Sequence, residues 1–216
     1  VIRVPGTRAH RFNEGAKVAN GFIFIFLHSD TKLPDDADTQ VMYGRARDTS
    51  VWGRFDLRYA GRHALLPLFA RLMNGYSAIR GVATGDQAIF VQREAFFRTA
   101  GFSDIPYMED VELSKRLREM SPPIVVTSRV TVPGRHFDEG GFWKTAWDMF
   151  QARLRYRFGA DPAELADRYS HKPVGLPPPS EPEAPPPAPP MPFGPRGSLP
   201  PDSTIRGPGS GGPRRR

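Results

Sequence analysis

The chain of 216 residues contains no cysteine, which excludes a disulfide framework, a thiolate metal site and a sulfur nucleophile. That composition suits the cytoplasm, with a membrane-associated variant left open. Long apolar runs are lacking as well. The longest, Phe22 to Leu27, is far short of the roughly 18 residues that a spanning helix requires. The opening Val1-Ile2-Arg3-Val4-Pro5-Gly6 lacks the charged-then-apolar order of a secretory signal, so a soluble protein without a transmembrane segment is expected. What the chain does have is 39% hydrophobic residues with 15 Phe, enough to bury a core.

Positive charge is in excess, at +7 net with a sequence pI near 10.0. The arginines are scattered, without aromatic interleaving or a recognised motif, so no nucleic-acid partner is expected. A phosphate-bearing ligand or an anionic membrane surface accounts for the same excess.

The most informative stretch is Gly21-Phe22-Ile23-Phe24-Ile25-Phe26-Leu27-His28-Ser29-Asp30. Its apolar run is too short for an ordinary helix, and Gly21 before it and Pro34 after it bound it as a strand buried on both faces. His28 and Asp30 then sit at the carboxyl end of a central strand, the edge of an open α/β sheet where ligands bind. Arg8 to Ala19 spaces Ala9, Phe12, Ala16 and Ala19 as an amphipathic helix feeding that strand. The acids Asp35, Asp36 and Asp38 read as a solvated loop leading into a helix.

Val51 to Tyr59 alternates strictly, which predicts a strand with Trp52, Arg54, Asp56 and Arg58 on a wet face. His63 to Tyr76 reads as a helix with Leu65, Leu66, Phe69, Leu72 and Met73 inward and its start delayed by Pro67. Gly85-Asp86-Gln87 precedes the strand Ala88 to Val91, and Glu94 to Thr99 is a short helix. Met108-Glu109-Asp110 opens another, with Asp110 as a capping acid favoured by the helix dipole and Glu112 placed to pair with Arg116. Ile124 to Thr127 is the last strand. Phe142 to Phe158 is the longest helix, with Trp143, Ala146, Trp147, Phe150 and Leu154 on one stripe; it reads as a cap on the fold, with interfacial docking as the other reading. Asp161-Pro162-Ala163-Glu164 starts a last helix.

Four of these segments, in order, carry a resemblance. Arg8-Ala9-His10-Arg11-Phe12-Asn13-Glu14-Gly15-Ala16, Phe26-Leu27-His28-Ser29-Asp30-Thr31, Thr84-Gly85-Asp86-Gln87 and Met108-Glu109-Asp110-Val111-Glu112 resemble family 2 glycosyltransferases. The nearest likeness is to a bacterial subfamily that writes Leu-His-Ala-Asp-Thr. The resemblance spans roughly residues 1–170 and implies an α/β, GT-A-like (Rossmann-like), mostly parallel sheet flanked by helices. It implies transfer, with inversion, of a sugar from a nucleotide-sugar donor to an acceptor hydroxyl, with Mg²⁺ or Mn²⁺ as cofactor. Asp30 corresponds to the last aspartate of the DXD motif, hence the metal ligand. Asp110 corresponds to the general base, with Glu109 beside it orienting the loop.

The resemblance also places Asp86 and Gln87 on the acceptor side and Arg135 and His136 near the donor diphosphate. His28 stands where many relatives have the first DXD carboxylate, so metal coordination rests on Asp30 and the diphosphate. Relatives begin with two further strands that hold the base, so the resemblance implies a domain over residues 1–172 that misses its first strands. An inactive fragment or non-catalytic binding module is the alternative, and two carboxylates also admit a glycoside hydrolase. From residue 173 to 216 the composition changes: 16 of the 24 prolines fall there, which predicts a disordered tail.

Overall fold

The computed structural model describes residues 3–169, so the expected tail lies outside the described residues. In chain order the elements are α1 (Arg8–Val18), β1 (Ile23–Phe26), α2 (Ala37–Arg47), β2 (Trp52–Ala60) and α3 (Leu66–Arg80). A 3₁₀ turn (Gly85–Gln87), β3 (Ile89–Gln92), α4 (Arg93–Arg98) and α5 (Glu109–Met120) follow. The described chain ends with β4 (Ile124–Pro133), α6 (Arg135–Gly140), α7 (Phe142–Arg157) and α8 (Pro162–Tyr169).

The four strands form one mixed sheet in the order β1-β3-β2-β4. β3 runs antiparallel to both β1 and β2, and only β2 and β4 are parallel. The expectation of a mostly parallel sheet is therefore corrected, and so is the central place given to β1, which is an edge strand of the described sheet. Apolar content alone cannot distinguish these cases. β1 is covered on both faces whichever way its neighbour runs.

Helices cover both faces of the sheet. On one, Phe24 and Phe26 of β1 pack with Ala9 and Ala16 of α1, Phe96 of α4, Phe102, and Leu113 and Leu117 of α5. Phe26 lies with its ring centroid 5.0 Å from Phe96 and 4.8 Å from Phe102. Each such ring removed from water contributes about 1.5–3 kcal/mol. On the other face, Phe55 and Leu57 meet Val41 of α2, Ala70 of α3, Phe90, and Ile124, Val126 and Val130 of β4. Gly53 is required here, because a Cβ would stand 2.3 Å from the Phe90 ring and 2.4 Å from the Ile124 carbonyl oxygen. A third cluster of Leu66, Phe137 and Phe142 fastens α6 and α7 to α3.

Strict alternation misplaces part of β2. Trp52 and Arg54 are both fully buried, since α3 and the chain around Ser121 cover the face assigned to water. At the register shift between Phe55 and Asp56 the extra residues lie in β4, which advances from Val126 to Arg129, so Phe55 and Leu57 stay on one face. Arg54 donates to the Asp56 carboxylate (2.8 Å) and the Asn74 carbonyl (3.1 Å), while the Asn74 amide bonds both N–H and C=O of Leu57 at 3.0 Å.

Other expectations shift locally. Leu72 is 62% exposed, and β4 continues to Pro133. Glu112 meets Lys115 (3.5 Å) and the Tyr156 hydroxyl (2.9 Å), because Arg116 is held by the Thr99 carbonyl and Ser103. α7 packs through Phe142, Thr145 and Ala152, and its aromatic stripe faces outward with Trp143 and Trp147 exposed. Among the described residues no helix is long and apolar enough to cross a membrane.

Candidate functional site

A cavity of about 510 Å³ opens where the loop after β1, the 3₁₀ turn, the start of α5 and the segment from β4 to α7 converge. His28, Asp30, Asp86, Asp110 and His136 all line it, together with Arg8, Tyr59, Tyr107 and Arg153. The sequence separates these groups by more than a hundred residues; the sheet brings them onto one wall.

Local geometry explains how each is held. Asn13 on α1 donates to the Phe102 carbonyl (2.8 Å) and accepts from the Phe102 N–H (2.9 Å), fixing α1 so that Arg8 reaches inward. The Arg8 guanidinium pairs with Glu109 and lies 2.8 Å from His28 Nε2. The far side of that ring, Nδ1, lies 3.4 Å from Asp86. The result is a charged chain running Glu109–Arg8–His28–Asp86 across the cavity wall. Burial works against the charged guanidinium, but Asp110 and Glu109 more than offset it and hold the Arg8 pKa above its ordinary value.

Asp110 stands in the first turn of α5, where Met108 is the N-cap with a left-handed backbone (φ 63°) and no side-chain cap. Asp110 is thus not the N-cap residue, but it caps from within the first turn, where its carboxylate takes the Val111 N–H. One of its oxygens accepts from the Gly85 N–H and the other from the Val111 N–H. Gly85 is needed at that contact: a Cβ there would lie 2.6 Å from His28 Nε2 and 3.3 Å from an Asp110 oxygen. Ala88, just past the turn, is the second left-handed residue beside the site (φ 46°). Such non-glycine conformations cost of order 1 kcal/mol or more each and concentrate where function needs them.

Of the three acids opening α5, Asp110 alone lines the cavity. Glu109 is 1% exposed behind the wall, and one carboxylate oxygen has no hydrogen-bond partner. Burial, then the charge of Asp110, raises its pKa above the ordinary carboxylate value. Asp86 behaves oppositely. Burial pushes it up, but the hydrogen bond and charge of His28, with Arg153 and Arg8, hold it below its usual value. Gln87 is fully buried, with its carbonyl accepting from Ser77 (2.8 Å) and from the Thr84 N–H (3.1 Å). It shapes the turn from beneath while Asp86 reaches the cavity.

Asp30 is 43% exposed and paired with Arg135 at 3.1 Å. Among the described residues no group of three or more His, Cys, Asp or Glu is placed to hold a metal ion. The protein's own donor set at this loop is thus one carboxylate. That set still fits Mg²⁺ or Mn²⁺ of the kind that keeps its waters and draws further oxygens from a ligand's phosphates.

Four residues named at this cavity, Arg8, Tyr59, Tyr107 and Arg153, are not assigned as site residues from the sequence. Arg8 opens the first of the four segments, so its position carried a signal. Tyr59 and Arg153 carried none beyond strand and helix spacing. Burial raises the Tyr59 pKa, with the Asp86 charge acting the same way, and its hydroxyl has no hydrogen-bond partner among the described residues. Tyr107 is likewise raised by burial, against the charge of Arg153. Both remain protonated phenols at neutral pH. No protein-family model matches the chain, and no curated protein matches it.

Proposed function

We propose that this cavity transfers a sugar from a nucleoside diphosphate donor to an acceptor hydroxyl with inversion, and that Asp110 is the general base. One observation carries the reading: the four segments that resemble family 2 glycosyltransferases, far apart in sequence, supply Arg8, His28 with Asp30, Gly85 with Asp86, and Asp110 to a single cavity. The GT-A-like fold is part of the same proposal, and the mixed sheet flanked by helices is compatible with it.

Asp110 accepts the proton of the acceptor hydroxyl as that oxygen forms its bond to the anomeric carbon. The bond to the diphosphate breaks on the opposite face, and the electron pair leaves with it. The two backbone N–H groups from Gly85 and Val111 fix the carboxylate's orientation. Asp86, held by His28, positions the acceptor. Arg135 and His136 stand on the donor side, where positive charge and hydrogen-bond donors suit phosphate oxygens. Asp30 would hold Mg²⁺ or Mn²⁺, and a cation there supplies neutralisation of the leaving diphosphate. Glu109 keeps Arg8 in place rather than touching substrate.

The test is release of nucleoside diphosphate from a panel of nucleotide-sugars with Mn²⁺ and hydroxyl acceptors. Asp110→Asn should lower turnover by roughly 10²-fold or more with donor affinity nearly intact. Equal turnover in variant and wild type removes Asp110 from the role. Donor binding without turnover is the outcome expected of a non-catalytic binding module.

A further inference from the structure

A second cavity of about 260 Å³ lies on the far side of Arg153 from the first, between α3, α5 and α7. Its walls carry Arg80, Lys115, Arg118, Arg153 and Arg157, and no acidic side chain lines it. Five cations around one cleft repel one another unless an anion joins them. Among nearby carboxylates, Asp86 is already acted on by the charge of Arg153, and Glu112 is engaged by the Tyr156 hydroxyl at 2.9 Å and Lys115 at 3.5 Å. Lys115 is steadied further by the Tyr156 ring, 4.4 Å from its Nζ. Arg118 reaches the Arg80 carbonyl at 2.6 Å, and that bond leaves its charge uncompensated. The Nε of Arg153 is buried without a hydrogen-bond partner.

We infer that this cleft, which adjoins the cavity that holds Asp110 and shares Thr84, Met108, Val111 and Arg153 with it, is a second binding site, for a phosphate group. The guanidinium forks of Arg118 and Arg157 match phosphate oxygens in geometry as well as charge. The phosphate could belong to a soluble ester or to a lipid headgroup. The outward stripe along α7, with Phe150 54% exposed, and Phe158 just past its end, 79% exposed beside Arg157, make the second source worth a separate arm.

The experiment titrates the full chain with inorganic pyrophosphate by calorimetry, in chelator so that no divalent ion bridges it to Asp30. The Arg118→Ser/Arg157→Ser double variant should bind at least about tenfold more weakly, equivalent to about 1.4 kcal/mol. Both side chains are exposed, so folding is retained, and Arg118→Lys/Arg157→Lys should recover most of the affinity. In the parallel arm, wild type is sedimented with vesicles of phosphatidylglycerol or of phosphatidylcholine. Binding to the first alone, lost in the serine variant, assigns the phosphate to lipid; pyrophosphate binding without vesicle binding assigns it to a soluble ester. Unchanged pyrophosphate affinity in the serine variant, or no binding of wild type to either probe, overturns the inference. Neither result depends on sugar transfer, so the two readings fail separately.

Discussion

Two charged networks cross this molecule, and they meet at adjacent residues. One is sealed: Arg54, fully buried, joins Asp56, and Asn74 links Leu57 to the Gln87 amide at 3.3 Å. The other is open, running from Glu109 through Arg8 and His28 to Asp86 along the cavity wall. Gln87 belongs to the first and Asp86 to the second. The same residue types, arginine with carboxylate, thus serve two ends. The sealed network fixes the turn by leaving few polar atoms without partners, whereas the open one leaves charge facing a space that a ligand can enter.

Breaking the sealed network should give the largest effect. Arg54→Ala leaves the Asp56 carboxylate and the Asn74 carbonyl without their donor, and should lower stability by about 3–5 kcal/mol in chemical denaturation. A loss under about 1 kcal/mol would mean that Asp56 is rehydrated at no cost and the seam is not closed.

Gly85→Ala sharpens the comparison at the open network. The added methyl pushes against the far end of the His28 side chain and the Asp110 carboxylate rather than against backbone, so these side chains shift out of their contacts while the fold is kept. Stability should change by less than about 1 kcal/mol. Turnover should fall by roughly 10-fold or more, since displacement of reacting groups by a fraction of an ångström is costly to rate. A stability loss with turnover preserved would place Gly85 among the structural residues instead.

The smallest effect separates two carboxylates of the open network by pH. Glu109 has its folded pKa raised above the unfolded value of 4.5, so its contribution to stability is full below that pH and is lost as pH rises through the folded value. Asp86 is lowered from 3.8, so its contribution is present above that pH and is lost as pH falls through the folded value. Glu109→Gln should therefore gain on wild type as pH rises above about 4.5, in urea unfolding followed from pH 4 to 8. Parallel curves for the two proteins would show that the Arg8 pair, not burial, governs Glu109.

Much of this was legible in the chain. Ala9, Phe12 and Ala16 at helical spacing, the Phe22 to Leu27 run and the start at Asp161-Pro162 mark elements whose signals are local, and the structure has them. Strand order was not legible, because β1 pairs with β3 across some 60 residues and nothing in either strand encodes its partner's direction. Arg54 misled for a related reason. Alternation assigns faces within one strand, while burial depends on what a distant helix lays over it. At the site, Asp30, Asp86 and Asp110 were found through motif likeness. Tyr59 and Arg153 reach the cavity through tertiary packing that no motif records.

The sheet contains no hairpin. β1 meets β3 only after α2, β2 and α3 have been made, and β2 meets β4 across β3 and the three helices α3, α4 and α5. Every ladder therefore requires closing a loop of dozens of residues before its first hydrogen bond can form, and the entropy of that closure is met early, without local reward. Folding should be correspondingly slow for a domain of this size, toward the millisecond-to-second range of topologies rich in non-local pairing. The turn at Gly85–Gln87, which ties Asp86 to one network and Gln87 to the other, lies between α3 and β3. It can take its final shape only when those ladders have zipped, which makes the wall of the larger cavity a late event in the life of the chain.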